Sequence, residues 1–253
     1  MKLLEKPKEL KMSSKIPYII DFLLNSNFHF EHSGDIGRGC VFLEFELFAR
    51  DYIKFAEIEL DKGTPVSLIN CVGHLKRALE CQIDTFFFTF NLHKLFKKRN
   101  LGIDKKLEFI NKAGIFNSRS LNRLNLIRNN MEHKYEIPKI KELDVFYDLV
   151  LALIVVLENV SIVFHSGIIS YFDLKDANDN TVGKFTSEYE HEDPKFSFSW
   201  IVNEEKTEFI IDFSEPQEFA KAFKIHLLLQ QNEGFASSEF IKDELQLIEI
   251  PLK

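Results

Sequence analysis

Cysteine, proline and an apolar leading run are scarce or missing in this chain of 253 residues. Three cysteines, at positions 40, 71 and 81, are too few for a disulfide framework. Their odd number suits a reducing compartment, and their spacing matches no zinc knuckle. Seven prolines and an apolar fraction of 45% argue against a disordered chain. The first twelve residues mix Lys, Glu and short apolar groups, so no secretory leader is expected and the cytoplasm is the expected compartment. The apolar stretch 154–164 has Asp148 and Glu158 within any window long enough to span a bilayer. A buried helix, not a membrane span, is therefore expected there. Gly37–Arg38–Gly39 is followed by no Lys or Ser at the spacing of a phosphate-binding loop. No internal repeat or low-complexity tract is present.

Phenylalanine, by contrast, is abundant at 26 residues. Such rings fill thick helical cores or an oligomer interface, and composition does not separate the two. Charge is segregated. Residues 91–141 hold 13 Lys and Arg against 4 Asp and Glu, a local charge of +9. The whole chain is formally −7, so the remainder carries −16. A cationic region inside an acidic protein points to a polyanion partner, RNA first.

Hydrophobic spacing orders the elements. Residues 1–15 read as a basic arm, 16–24 and 27–32 as short ambiguous segments, and 33–39 as a loop. Val41, Leu43, Phe45 and Leu47 alternate, which fits a short strand or a helical start. Phe48, Tyr52, Phe55 and Ala56 line a helix ending near Gly63. Thr64 and Pro65 then open a long helix to about Phe90. A helix over 104–113 is punctuated by Gly114. Another starts at Ser118 or Ser120, carries Leu121, Leu124, Ile127 and Met131 on one side, and stops at Pro138. A last long helix fits 143–165. Residues 166–194 read as loops with one short strand. Phe196, Phe198, Trp200 and Val202 alternate as a half-buried strand, with 208–213 returning antiparallel to it. Ser214 and Gln217 resemble a capping box for a helix to about Gln231, and 245–250 suggests a final strand. The expected organisation is an N-terminal arm and loop (1–39), a helical region (40–168) and a small α+β domain (169–253).

The chemistry-bearing stretch is 124–138, LNLIRNNMEHKYEIP. Arg128 and His133 are five positions apart, so on a helix they point about 140° apart and are offset by about 7.5 Å. They can converge in one cleft when this helix meets a copy of itself across a two-fold axis. His133 can move protons near neutral pH. Arg128 fits phosphate oxygens and the charge of an in-line transition state. Asn129 can orient the phosphate or the histidine, and Glu132 can tether Arg128. RNA brings its own nucleophile, the 2′-OH, so cleavage would need no metal or cofactor. Lys97, Lys98, Arg99, Arg119 and Arg123 are the cations expected to hold the RNA backbone. The same residues also fit a solvated helix whose histidine sits near its C-terminal end.

This stretch resembles the signature of HEPN domains, the helical nucleotide-associated domains of prokaryotic toxins and antiviral proteins. Residues 48–61, HLKRALECQID at 74–84, and the apolar helix at 143–165 resemble that domain's successive helices. The resemblance implies a mainly α fold: an up-and-down helical bundle over about 40–168, followed by the smaller C-terminal α+β domain. It also implies a homodimeric, metal-independent endoribonuclease with Arg128 and His133 in a shared cleft and Asn129 as the polar residue after the arginine. Such an enzyme would act in toxin–antitoxin or antiviral defence and leave a 2′,3′-cyclic phosphate. Tyr135, two residues after His133, resembles the tyrosine that a nucleotidyltransferase-type antitoxin adenylylates; a plain packing role fits it as well. The alternative is a non-catalytic module that binds RNA, nucleotide or protein.

Other candidates are thinner. His74 and His93 lack carboxylates arranged for a metal, and Cys71 and Cys81 read as helix-core residues. His191, Glu192 and Asp193 form an acidic loop that could hold a divalent ion. The Phe196, Phe198 and Trp200 stripe could stack bases, but such a stripe more often faces a core.

Overall fold

In the computed structural model, residues 14–116, 119, 126, 129–130, 137, 139–231 and 235–249 are described. The helical part is built on local signals the sequence displays. Helix α1 (Ile16–Asn25) precedes strand β1 (His29–Ile36), and helix α2 (Ala49–Lys62) follows. Gly63 ends α2 in the left-handed region, at φ 62°, where glycine carries no Cβ penalty. The next residue caps helix α3 (Pro65–Thr89): Thr64 Oγ1 accepts from the Ser67 N–H at 3.2 Å, and Ser67 Oγ accepts from the Thr64 N–H at 3.0 Å. Two orphan donors are thereby satisfied, and Pro65 begins the helix where a missing N–H costs nothing.

Leu68, Cys71, Val72, Leu75, Leu79, Ile83, Phe86 and Phe87 are buried along α3, the expected thick apolar face. Short helix α4 (His93–Lys98) and helix α5 (Ile103–Lys112) follow, and Gly114 stops the chain at φ 71°. Helix α6 (Ile140–Ser166) then packs back on α3 and α2. It is long and apolar enough to cross a membrane by length and composition, yet Leu143, Phe146, Val150, Leu153, Ile154, Leu157 and Phe164 are buried within the fold. Most of the expected helix leading to Pro138, and most of the N-terminal arm, lie outside the described residues.

The remainder is a five-stranded antiparallel sheet in the order β1-β2-β3-β4-β5, with β2 Ile169–Lys175, β3 Thr181–Glu190, β4 Lys195–Val202 and β5 Glu205–Asp212. Asn203 and Glu204 both take positive φ, 52° and 68°, and close a two-residue hairpin between β4 and β5. Asp176 closes the β2–β3 turn by accepting from the N–H groups of Asn178 and Asn180 at 2.8 and 2.9 Å. Phe172, Leu174, Phe185, Tyr189, Phe196 and Phe198 form the buried face. Helix α7 (Pro216–Gln231) covers one part of it and α1 another, where Phe22 stacks on Trp200 at 4.1 Å between ring centroids. Helix α8 (Ser238–Glu249) packs on α1 and α7.

The expectation of a mainly helical, up-and-down HEPN-like bundle with a smaller C-terminal α+β domain is overturned. Among the described residues, eight helices share one mixed α+β fold with the sheet. β1, from the N-terminal side of the helices, hydrogen-bonds β2 on their C-terminal side. The buried apolar residues form one cluster from Ile16 to Ile248. The physical reason lies at the end of α6. Phe164 packs on Phe90 of the helical part at 4.9 Å, on Tyr189 and Phe196 of the sheet at 5.3 and 6.1 Å, and on Phe223 of α7 at 4.5 Å.

Local differences have local causes. Residues 166–194 hold two full strands rather than loops with one. Their buried face includes Ser170 and Ser187, which dilute the apolar alternation. The β1 strand runs into the stretch read as a loop, with a register irregularity between His32 and Gly34. Residues 37–48 form no strand, because the chain there crosses α6 and not another strand: the Arg38 N–H donates to the His165 carbonyl at 2.8 Å. Of the expected last strand at 245–250, residues 245–249 form the end of α8. Ile241, Leu245 and Ile248 are buried at spacings of four and three, the helical period.

Two substitutions grade this account. Thr64→Ala removes one cap and should cost about 1 kcal/mol. Phe164→Ala empties the helix–sheet junction and should cost about 3–5 kcal/mol. Urea unfolding measures both; an equal, small loss in the two variants would contradict Phe164 as the shared centre.

Candidate functional site

The residues expected to carry chemistry sit unevenly in the structure. Arg128, His133, Tyr135 and Arg123 lie outside the described residues. Asn129 is helical and exposed, and Arg119 is exposed. Lys97 and Lys98 occupy the last turn of α4 and are exposed, a favourable place for cations against the helix dipole. Arg99 is engaged differently. Its guanidinium donates to the Ser214 carbonyl at 3.0 Å and lies 5.4 Å from the centre of the Phe213 ring, tying the end of α4 to the β5–α7 junction. It is therefore a strap in this fold, with less of its guanidinium open to a phosphate than expected.

Neighbouring cations are partly matched. Lys105 and Lys112 share Glu108 at 2.6 and 2.9 Å, and Lys106 pairs with Asp84. Lys105 and then Lys112 hold the Glu108 carboxyl below its ordinary range. Solvent-accessible pairs of this kind contribute little, so an incoming phosphate can compete for their lysines. His93 adds no charge to this surface at neutral pH. Burial, then Lys94, Lys106 and Lys97, lower its basicity.

Histidines also occupy the core, where sequence spacing gave no sign of them. His226 on α7 is fully buried. Its Nε2–H donates to the Gly167 carbonyl at 3.0 Å, leaving Nδ1 to accept from the Ser187 hydroxyl at 2.7 Å. Gln230 Nε2 donates to the same carbonyl at 2.6 Å. Burial pushes the imidazole down to about 4. The Ser187–His226 pair has the spacing of a nucleophile and its base, but both side chains are sealed inside the fold, so the pair joins α7, β3 and the α6–β2 turn.

His165 donates Nδ1–H to the Ser161 carbonyl at 2.8 Å, and burial lowers its basicity too. His191 donates Nε2–H to the Thr89 carbonyl at 2.9 Å, while Glu192 pairs with Arg38 at 3.2 Å and Asp193 faces Lys195 at 3.6 Å. That loop is thus spoken for by hydrogen bonds and ion pairs. Among the described residues, no group of three or more His, Cys, Asp or Glu is placed to hold a metal. The Phe196 and Phe198 rings face the core and not solvent.

A cavity of about 350 Å³ lies between α2, α3, α6 and the segment 37–48. Its lining joins Phe42, Phe48 and Ile162 to Gln82, Thr85, Thr89 and Ser161, with Arg50 and Glu158 beside them. Arg50 grips Glu158 through two hydrogen bonds, at 2.9 and 2.5 Å. Sequence reasoning missed this assembly. The one available signal was Gln82, a polar residue inside the buried stripe of α3.

The histidine core sets a pH dependence. Above about pH 6.5, the ordinary range of imidazole, His226 is neutral in both folded and unfolded chains and its full contribution is present. As pH falls from 6.5 towards 4 the unfolded chain takes up a proton that the folded chain refuses, so stability falls. His226 alone should cost about 2 kcal/mol between pH 7 and pH 5. Urea unfolding at the two pH values should show a clearly smaller difference for His226→Gln than for the parent; equal differences would remove His226 as the cause. Comparison with protein-family models, with curated proteins and with solved structures finds no match to this chain.

Proposed function

We propose that the chain is a cytoplasmic, homodimeric and metal-independent endoribonuclease of toxin or antiviral type, with a HEPN-type motif set in a mixed α+β frame. The observation that carries this reading is the segment LNLIRNNMEHKYEIP at 124–138, inside the window of charge +9. Supporting it, Asn129 is exposed on a helical turn, and Lys97, Lys98 and Arg119 are exposed cations of the same window. These cations bind the RNA backbone without regard to sequence.

In the proposed reaction the ribose 2′-oxygen attacks the adjacent phosphorus while a His133 imidazole takes the hydroxyl proton. The P–O5′ bond breaks, and a second His133, from the other copy and protonated, gives its proton to the leaving 5′-oxygen. The products are a 2′,3′-cyclic phosphate and a 5′-OH. Arg128 holds the non-bridging oxygens as negative charge builds on them.

The test is cleavage of mixed RNA in EDTA by the parent, Arg128→Ala and His133→Ala, with end-group analysis. The expected result is cyclic-phosphate ends from the parent and a loss of about 100-fold or more in each variant. Cleavage at the parental rate by both variants would end the assignment.

A further inference from the structure

The cavity between α2, α3 and α6 has a polar floor and an apolar mouth. Thr89, Ser161 and Gln82 are buried, Gln82 at 7% exposure, whereas Phe42 and Phe48 are 55% and 48% exposed. The floor is chemically lopsided. Thr85 donates its hydroxyl proton to the Cys81 carbonyl at 2.9 Å, Thr89 donates to the Thr85 carbonyl at 2.9 Å, and Ser161 donates to the Leu157 carbonyl at 2.8 Å. Thr85 and Ser161 therefore have only lone pairs left to offer the cavity, while Thr89, fully buried, closes the floor beneath them. Gln82 lines the same floor, and its carbonyl and NH₂ group are open to the cavity and not sealed away from it. A ligand that displaces water from this amide must replace the hydrogen bonds of both its carbonyl and its NH₂ group.

These constraints select a ligand class. Its inner end must be rich in N–H donors to meet the hydroxyl lone pairs and the Gln82 carbonyl. It must also carry one acceptor for the Gln82 NH₂ group. Its body must be flat and weakly polar to lie against Phe42, Phe48 and Ile162. An amino group beside a ring nitrogen, as on the edge of adenine, meets all three demands, and glutamine reads that edge with two hydrogen bonds. A keto group at the same place would set oxygen against oxygen. Outside the base, the Arg50–Glu158 pair supplies a cation for phosphate and a carboxylate for ribose hydroxyls.

We propose that this cavity is an adenine-recognition site, in which Gln82 reads the base edge, Phe42 and Phe48 shelter its faces and Arg50 receives the phosphate. The source of the base is either a free adenine nucleotide or an unstacked adenine of an RNA strand, since both present the same edge. The site is independent of the proposed cleavage chemistry and uses none of its residues.

The experiment is calorimetric titration of the full chain with AMP and with IMP, which differs from AMP in carrying oxygen where adenine carries its amino group. AMP should bind, and IMP should bind about tenfold more weakly or worse. Gln82→Leu keeps the bulk and removes the amide, so it should abolish the preference for AMP while melting no lower than the parent. Displacement of AMP by a hexa-adenylate would assign the site to RNA, and failure to displace it would assign the site to the free nucleotide. No AMP binding at millimolar concentration, equal binding of IMP, or an unchanged preference in Gln82→Leu would overturn the proposal. Arg128→Ala should bind AMP as the parent does, so this reading and the nuclease reading fail separately.

Discussion

Aromatic packing around Phe164 is the constraint on which the rest of the molecule depends. Its ring contacts Phe90, Tyr189, Phe196, Phe223 and His226, so the last turn of α6, the end of α3, two strands and α7 meet at one point. Large rings suit such a junction. Each buries a wide area in few rotamers, and tilted and edge-on pairs tolerate the irregular angle between a helix end and a twisted sheet. Two polar members of the cluster are satisfied in place: the Tyr189 hydroxyl donates to the Phe90 carbonyl, and both His226 nitrogens are hydrogen-bonded. The abundance of phenylalanine is explained in good part by this seam.

From that seam the geometry of the α6 terminus follows, and with it the cavity. A helix end leaves carbonyl groups without partners. Here the Gly167 carbonyl accepts from His226 and Gln230, and the His165 carbonyl accepts from the Arg38 N–H. Gly37 makes the second contact achievable, because a Cβ at that position would sit 2.6 Å from the Ser166 carbonyl oxygen. Cys40 continues the same path, with its Sγ 3.6 Å from the Ser161 carbonyl. The segment leading to Phe42 is thus pinned to α6 by one backbone bond and one thiol contact. It covers the space beside Ser161 and Thr89 instead of joining the sheet.

What could be read in the sequence was what is encoded within a few residues. Thr64–Pro65, Gly63 and Gly114 mark helix ends by capping and backbone conformation, and α2, α3, α5 and α6 follow within a few residues of their expected limits. The β4–β5 hairpin was legible for the same reason, from the strict alternation around Phe198 and Trp200. Contacts made across long sequence distances were not. The β1–β2 pairing joins His29 to Lys175 and leaves no local trace, so a mixed fold looked like a helical bundle with an appendage. Ser170 and Ser187 face inward because Gly167 and His226 wait for them, and neither partner is visible from the strand itself. The cavity draws Arg50, Gln82 and Glu158 from three helices, and no spacing rule connects them.

The described histidines sharpen the question of where proton transfer could occur. A general base or acid works best when its pKa lies near the operating pH. Burial moves His93, His165 and His226 away from that condition, holding them neutral. His226 shows why distance alone is a poor guide: 2.7 Å from a serine hydroxyl, it has the spacing of an activated nucleophile and no route for a substrate. Its hydrogen bonds are better understood as joints that let a polar helix face cross an aromatic core. The proposed nuclease reading therefore assigns proton transfer to an imidazole outside that core, that of His133, five residues along the chain from Arg128 within the cationic window.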